Sequence, residues 1–289
     1  MPNRFAIALS AFALVACRQI LDIGDWPDAA DGDAAGDAAP SDAATEGEAA
    51  AGSAYAAAVL ADSPLAYYRF EDLDTVGVNK KAADSSGNLN DGTYSTVSGC
   101  EAALMADGVD GSYALHLQGD AACSIVTNDI SAGNDMPFTI EAWVRVDNAV
   151  GNVIGTPPDG GAGAWLNGAS SLFVANSGYA FAADVDDLIF TSSWVPTVTG
   201  STTLASAGLT HVAVTYDGTS TLKLWANGQS VQTGTANVGS NLLSGNMTIG
   251  AVGGGGGWLA PFHGVVDELA LYSHALTQAE LANHYNAGK

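Results

Sequence analysis

At 289 residues, 47% of them hydrophobic, the chain is long enough for one large β domain or two small ones and can bury a substantial core. Its 31 acidic against 8 basic residues give a formal net charge of −23. Such a field repels nucleic-acid phosphates and anionic membrane surfaces and attracts multivalent cations, which excludes nucleic acid as a partner.

The chain begins with Arg4 and an apolar stretch from Phe5 to Ala16 that ends in Leu14-Val15-Ala16-Cys17. A charged start, a short apolar run and small residues make an export signal of residues 1–17. The run is too short to span a bilayer, which takes about 20 residues. The tetrapeptide resembles the bacterial lipobox, in which the cysteine is acylated after cleavage. Cys17 is therefore expected to carry a lipid anchor that holds the exported protein on a membrane, at the cell surface or in the periplasm. Setting Cys17 aside leaves Cys100 and Cys123, an even pair in an exported protein. A disulfide between them would contribute roughly 3 kcal/mol through the unfolded state.

Residues 18–52 carry nine acidic residues between Asp22 and Glu48 and no basic one in that interval, set among Ala, Gly, Pro and Ser. High charge without large apolar groups cannot offset ordering entropy, so the segment reads as a disordered acidic tether rather than a metal sponge.

After Gly52 the composition changes to aromatic and β-branched residues with frequent turn signals, and residues 53–289 read as the folded domain. Tyr55 to Ala61 allows one short helical turn, and Pro64 forces an extended Leu65 to Phe70. Strands are expected at Tyr113–Gln118, Cys123–Thr127, Phe138–Val146, Ser171–Ala175, His211–Tyr216, Thr221–Ala226, Ser230–Thr235, Met247–Val252 and Gly264–Tyr272. In Phe138–Val146 the apolar Phe138, Ile140, Ala142, Val144 and Val146 share one face, and Thr139, Glu141, Trp143 and Arg145 the other. Asp217-Gly218 and Asn227-Gly228 punctuate three runs into an antiparallel meander. In Leu276–Gly288, Thr277 and Glu280 match a capping box, giving a brief helix expected to seal one edge of a sandwich.

Several stretches, taken in order, resemble the laminin-G-like, concanavalin A-like jelly-roll family. They are Ser63-Pro64-Leu65-Ala66-Tyr67-Tyr68-Arg69-Phe70-Glu71, Asp84-Ser85-Ser86-Gly87-Asn88 with Asn90-Asp91-Gly92, Phe138 to Val144, His211 to Gly218, Leu222 to Gly228, and Gly264-Val265-Val266-Asp267-Glu268-Leu269 onward. The resemblance covers Tyr55 to Lys289. It implies an all-β sandwich of two antiparallel sheets, with ligands at rim loops or on a concave sheet, often beside calcium. The interval Gly151 to Gly208 departs from the pattern.

Calcium takes six to eight oxygen ligands, which suits the polar loop of Asp84, Asn88, Asn90 and Asp91. Neighbouring strand residues point to opposite faces, so either Asp267 or Glu268 is expected to face the core side and to need a strong partner. By the resemblance, that partner is a calcium ion held by Asp84, Asn88, Asn90 and Asp267, with Glu71 and Asp72 as weaker candidates. The alternative is that Asp84 caps its own turn and Asp267 accepts backbone N–H groups.

A carbohydrate or glycoprotein ligand needs aromatic faces, for which Trp143, Trp225 and Trp258 are the candidates; Trp165, Tyr179 and Trp194 sit in apparent loops. A protein-binding adhesion domain is the other reading. Catalysis finds little support: the chain lacks a Gly-x-Ser-x-Gly elbow, a His-Glu-x-x-His motif and the Glu-x-Asp-x-x-Glu strand of related glycosidases, which leaves a divergent glycosidase with carboxylates such as Glu141, Asp267 or Glu268 paired only by the fold as the third reading. His116, His211, His263, His274 and His284 show no metal-ligand spacing and read as surface or hydrogen-bonded histidines. The run Gly253 to Gly257 lacks the following Lys of a phosphate loop and reads as a flexible hairpin.

Overall fold

The computed structural model describes residues 53–72, 80–94, 103–119, 125–130, 137–147, 151–155, 164–166, 172–174, 179–184, 186–192, 195–204, 208–235, 246–251 and 261–289. The export signal with Cys17, the acidic segment, Cys100, Cys123, Trp194, Trp258 and the glycine run lie outside the described residues.

Helix α1 (Ala54–Ala61) is followed by β1 (Ala66–Tyr68), β2 (Lys81–Ala82), β3 (Gly92–Tyr94), β4 (Ala103–Met105), β5 (Ala114–Gln118) and β6 (Ile125–Asp129). Then come β7 (Phe138–Val146), β8 (Gly151–Gly155), β9 (Ala164–Leu166), β10 (Leu172–Val174), β11 (Tyr179–Ala183), β12 (Asp187–Ser192) and β13 (Val195–Ser201). The chain closes with β14 (Thr210–Tyr216), β15 (Thr221–Ala226), β16 (Gln229–Thr235), β17 (Asn246–Ile249), β18 (His263–Tyr272) and helix α2 (Gln278–Ala287).

These strands make a jelly-roll sandwich of two antiparallel sheets. The first has the order β16-β15-β14-β7-β18-β5-β4, with β1 also paired to β18, and the second β13-β12-β11-β8-β17-β6-β3-β2. Strands β9 and β10 form a separate hairpin. The alternation read from β7 is realised: Ile140, Ala142 and Val144 enter the inter-sheet core with Val212, Val214 and Leu224, against Ile154, Phe181, Phe190 and Ile249 of the second sheet. Each of the larger of these fully buried side chains contributes roughly 1.5–3 kcal/mol. The interval that departed from the family pattern supplies β8 and β11–β13, four adjacent strands of the second sheet. Its inward positions mix small residues such as Ala183 with single aromatics such as Phe181, which hides the period-2 signal.

The opposite face of the first sheet is not left to water. Tyr55 and Val59 of α1 and Leu281 of α2 pack with Trp143, Ala213, Ala270 and Tyr272 into a second apolar cluster. Helix α1 exceeds the single turn expected, and α2, at 10 residues, is longer than a brief helix. Ser53 caps α1, its hydroxyl accepting the Ala56 N–H at 3.1 Å, and Thr277 caps α2 in the expected reciprocal box with Glu280. Helix α2 packs Leu281 and His284 onto the outer face of the first sheet and also reaches its edge strand β16, the position expected of it. Where the two sheet edges β16 and β13 meet, a Cβ on Gly234 would come within 2.5 Å of Val198 Cγ2, so that position is limited to glycine by close approach.

Asn227 (φ 51°) and Gly228 (φ 71°) take the left-handed conformation of a tight two-residue hairpin. A Cβ on Gly228 would stand 2.7 Å from Ala282 Cα, in the backbone of α2. Gly228→Ala is therefore expected to lower stability by roughly 1–3 kcal/mol, read as a lower urea midpoint with an unchanged slope. An unaltered midpoint would mean that the turn and helix do not abut.

Candidate functional site

Among the described residues, polar groups gather at the turn at Asp84, on the face under the helices, in a cleft at the open end of that face, and in an ion-pair network of His116, Asp107, Arg145 and Asp147. In the turn, Asp84 Oδ1 accepts the N–H groups of Tyr67 (2.8 Å) and Ser86 (2.9 Å), and Oδ2 accepts the Ser86 hydroxyl (2.8 Å) and the Asn90 N–H (2.9 Å). Asn88 donates its side-chain amide to the Pro64 carbonyl at 2.9 Å, and Asn90 donates its own to the Leu65 carbonyl at 2.7 Å. Asp91 accepts the Asp84 N–H at 2.9 Å. The loop is thus stitched to the entry of β1 by its own polar groups.

Asp267 is not brought to this turn. Its Oδ2 accepts the Val109 N–H at 2.8 Å and its Oδ1 the Glu268 N–H at 2.9 Å. The expectation that one residue of the Asp267-Glu268 pair faces the main core is also corrected. The register of β18 against β7 shifts between Asp267 and Ala270, and Glu268 sits at φ 50°. This bulge places two residues between the inward Val266 and Leu269. Both carboxylates lie toward the outer cluster, Asp267 beside Val109 and Glu268 against Tyr67 and Arg69. Burial, with the neighbouring Glu268 charge, pushes the Asp267 carboxyl well up. Burial pushes Glu268 up to about 7 despite the Tyr67 hydroxyl and the Arg69 guanidinium.

The four residues assigned to calcium therefore do not fit the ion. The oxygens of Asp84 and Asp267 are taken by protein donors, the two aspartates serve different parts of the fold, and the amides of Asn88 and Asn90 face carbonyls. Among the described residues no three His, Cys, Asp or Glu side chains are arranged to hold a metal. Glu71 accepts the Tyr113 N–H at 3.4 Å, and Asp72 the Ala83 N–H at 3.1 Å.

Under the helices, Glu141 of β7 is fully buried and accepts three partners. His211 Nε2 of β14 lies 2.9 Å from its Oε2, His284 Nδ1 of α2 lies 3.0 Å from its Oε1, and the Tyr272 hydroxyl donates to Oε1. His284 Nε2 lies 3.0 Å from Asp62, at the end of α1. Burial acts to raise the Glu141 carboxyl, but the two imidazoles outweigh it and hold the group at about 2. Burial acts to lower the His284 imidazolium, yet Glu141 and Asp62 keep it above its ordinary value. His211 and His284 thus resolve to hydrogen-bonded histidines, both fully buried rather than at the surface.

Trp143 and Trp225 do point away from the inter-sheet core as expected, but each is only 4% exposed. Trp143 stacks on Tyr285 of α2 with ring centroids 5.9 Å apart and is a packing residue. Trp165 and Tyr179 stand in β9 and β11 rather than in loops.

Trp225 borders a cleft of about 380 Å3, formed where α2 starts and the β14–β15 end of the sheet is left uncovered. Thr215, Thr221 and Lys223 of the hairpin and Thr277 and Gln278 of α2 line it, with Asp217 at the turn. The Trp225 indole N–H donates to Thr215 Oγ1 at 2.9 Å, and Lys223 Nζ stands 5.6 Å from the Trp225 ring centre. Asp217 Oδ1 accepts the N–H groups of Thr219 (2.8 Å), Ser220 (2.9 Å) and Thr221 (2.9 Å). Slight burial raises the Asp217 carboxyl, but these donors outweigh it and hold the group well below the usual range. The cleft offers hydroxyls, an amide, one cation, one anion and an indole edge, without a nucleophile paired to a base.

Residues 117–282, more than half of the chain, match the model of the concanavalin A-like lectin/glucanases superfamily. The chain belongs to this superfamily. No curated protein matches it in sequence. Among solved structures it is similar to domain 4 of AbnA, a GH43 extracellular arabinanase of Geobacillus stearothermophilus solved with arabinotriose, with TM-score 0.54 and 22% identity over 78% of this chain and 98% of that one. The binding domain of Paraclostridial Mosquitocidal Protein 1 gives TM-score 0.56 and 15% identity over 79% of this chain and 53% of the other. The ligand binding domain of botulinum neurotoxin serotype D, solved with N-acetylneuraminic acid, gives 0.52 and 13% over 81% and 52%. The chain spans about half the length of those two toxin structures.

Of the aromatic candidates with described side chains, this superfamily member presents only Trp225 at a cleft. Sequence reading missed Thr215, Thr221, Lys223, Thr277 and Gln278. The alternation of β15 put Lys223 and Trp225 on one face and was the available signal; the approach of α2 was not.

Two outcomes are expected. The full chain should melt at the same temperature in millimolar calcium and in chelator as far as these residues are concerned; a rise abolished by Asp84→Ala would overturn the hydrogen-bonded reading of the turn. Between about pH 4.5 and 7 the native state holds the Glu268 proton that the unfolded chain releases, so stability should fall as pH rises through that window. His284 acts in the same direction above its ordinary pKa, whereas the contribution of Glu141 is lost only as pH falls toward 2. Thermal midpoints should therefore decline from pH 5 to pH 7.5, and less so in Glu268→Gln; an equal decline in that variant would remove Glu268 as the cause.

Proposed function

We propose that residues 53–289 form a non-catalytic carbohydrate-binding module whose ligand enters the cleft bordered by Trp225. The observation that carries this reading is the cleft itself: three threonine hydroxyls and the Gln278 amide surround the edge of an indole at the exposed end of the sheet. Sugars are recognised by such a pairing of directional hydroxyl partners with an aromatic surface, and the volume lies within the usual range for small-molecule sites. The superfamily fold and its likeness to domains solved with arabinotriose and N-acetylneuraminic acid support the same reading. In this reading an export signal and lipobox at Cys17 anchor the module to a membrane, residues 18–52 serve as its stalk, and a Cys100–Cys123 disulfide suits that compartment. A binding role agrees with the lack of a paired nucleophile and base in the cleft.

On an array of oligosaccharides the full chain is expected to retain a defined subset. Thr221→Ala with Gln278→Ala, both at partly or fully exposed positions, should weaken that binding by about tenfold or more through the loss of two hydrogen bonds, with the melting temperature unchanged. Retention of a protein partner insensitive to free sugar, with no oligosaccharide bound, would favour the adhesion reading instead.

A further inference from the structure

The folded region carries only six basic side chains, Arg69, Lys80, Lys81, Arg145, Lys223 and Lys289, in an excess of acid. Arg69, Lys81 and Arg145 are each committed to carboxylates, at 3.3 Å from Glu268, 3.2 Å from Asp91 and 3.1 Å from Asp107. Lys80 has no place in the cleft, and Lys289 Nζ lies over the Tyr285 ring at 5.2 Å. Lys223 differs from all of these in its position. It is half-buried in the cleft wall beside Trp225, and it makes no ion pair among the described residues although Asp217 lines the same cleft. Asp217 turns its Oδ1 to the Thr219, Ser220 and Thr221 N–H groups and the Thr219 hydroxyl instead.

From this unneutralised ammonium we infer that the saccharide taken by the cleft carries a carboxylate, as in a uronic or sialic acid, and that Lys223 is the residue that selects it. The inference rests on the cleft being a glycan site. The sugar ring lies along the Trp225 edge, the Thr221 hydroxyl and Gln278 amide meet its hydroxyls, and its carboxylate takes the Lys223 ammonium. A charge-assisted hydrogen bond of this kind is stronger than a neutral one. The surrounding negative charge does not prevent it: at physiological salt, exposed charges beyond about 8 Å are largely screened, whereas Lys223 would touch the ligand.

The test uses the full chain and calorimetry with pairs of oligosaccharides that differ only in charge: trigalacturonate and 3′-sialyllactose, each against its methyl ester. Each acid is expected to bind about tenfold more tightly than its ester at low salt, with the gap narrowing as sodium chloride is raised. Lys223→Gln should bring acid and ester to equal affinity, and Lys223→Arg should restore the preference; unchanged melting temperatures will show that both variants are folded. Equal affinity of acid and ester in the unsubstituted chain, or a preference that survives Lys223→Gln, overturns the selection of a carboxylate while leaving the glycan site standing. Binding of neutral array sugars alone does the same, and binding of no sugar at all overturns both.

Discussion

The first sheet depends on one buried carboxylate. Glu141 sits in the middle of β7 with no exposed surface, and an unpaired charge there would be prohibitive. Its partners come from β14, β18 and α2, and through His284 the contact continues to Asp62 of α1. The two helices at either end of the folded region are therefore fixed to the same strand, and they cover an aromatic face that would otherwise expose Trp143 and Tyr272. Removing one partner leaves a buried charge rather than a small gap, which makes this network costlier to break than an apolar contact of the same area.

That clamp also sets where a ligand can bind. In a sandwich of this kind a bare sheet face is a natural platform, but here α1 and α2 cover part of the face, and a cleft opens at the β14–β15 hairpin. The cleft is what remains between a covered sheet and the first turn of α2. Its shape follows from two local devices: the Thr277–Glu280 box that starts α2, and the Asn227-Gly228 turn against which Ala282 rests. Trp225 serves both sides, its ring buried with the outer cluster and its edge bordering the cleft.

The sandwich was legible because alternation is a property of the chain. Phe138–Val146, His211–Tyr216 and Thr221–Ala226 each announce a strand with one apolar face, and Asp217-Gly218 and Asn227-Gly228 mark the joins. What failed was every step that needed knowledge of the second face. Trp143 and Trp225 alternate out of the main core as read, but sequence could not show that α1 and α2, distant along the chain, return to cover them. Alternation also misplaced Asp267 and Glu268, because a bulge with a left-handed Glu268 inserts one residue and turns both carboxylates outward. Composition left Asp84 either a metal ligand or the cap of its own turn, and the choice is made by the N–H groups that reach it first.

The same physics governs both acidic sites. A carboxylate becomes a cation ligand only when its lone pairs are left over after the fold has used them. Asp84 spends them on Tyr67, Ser86 and Asn90, closing the loop onto β1; Asp217 turns its Oδ1 to its own turn. The Asp84 loop looks like a site in a one-dimensional reading because Asp, Asn, Ser and Gly serve turns and metals alike. The unsatisfied partner in this acidic domain is instead a cation. Lys223 makes no ion pair among the described residues and stands in the cleft wall, so the binding chemistry proposed for the site follows a residue the fold leaves unpaired, not the charge that dominates the composition.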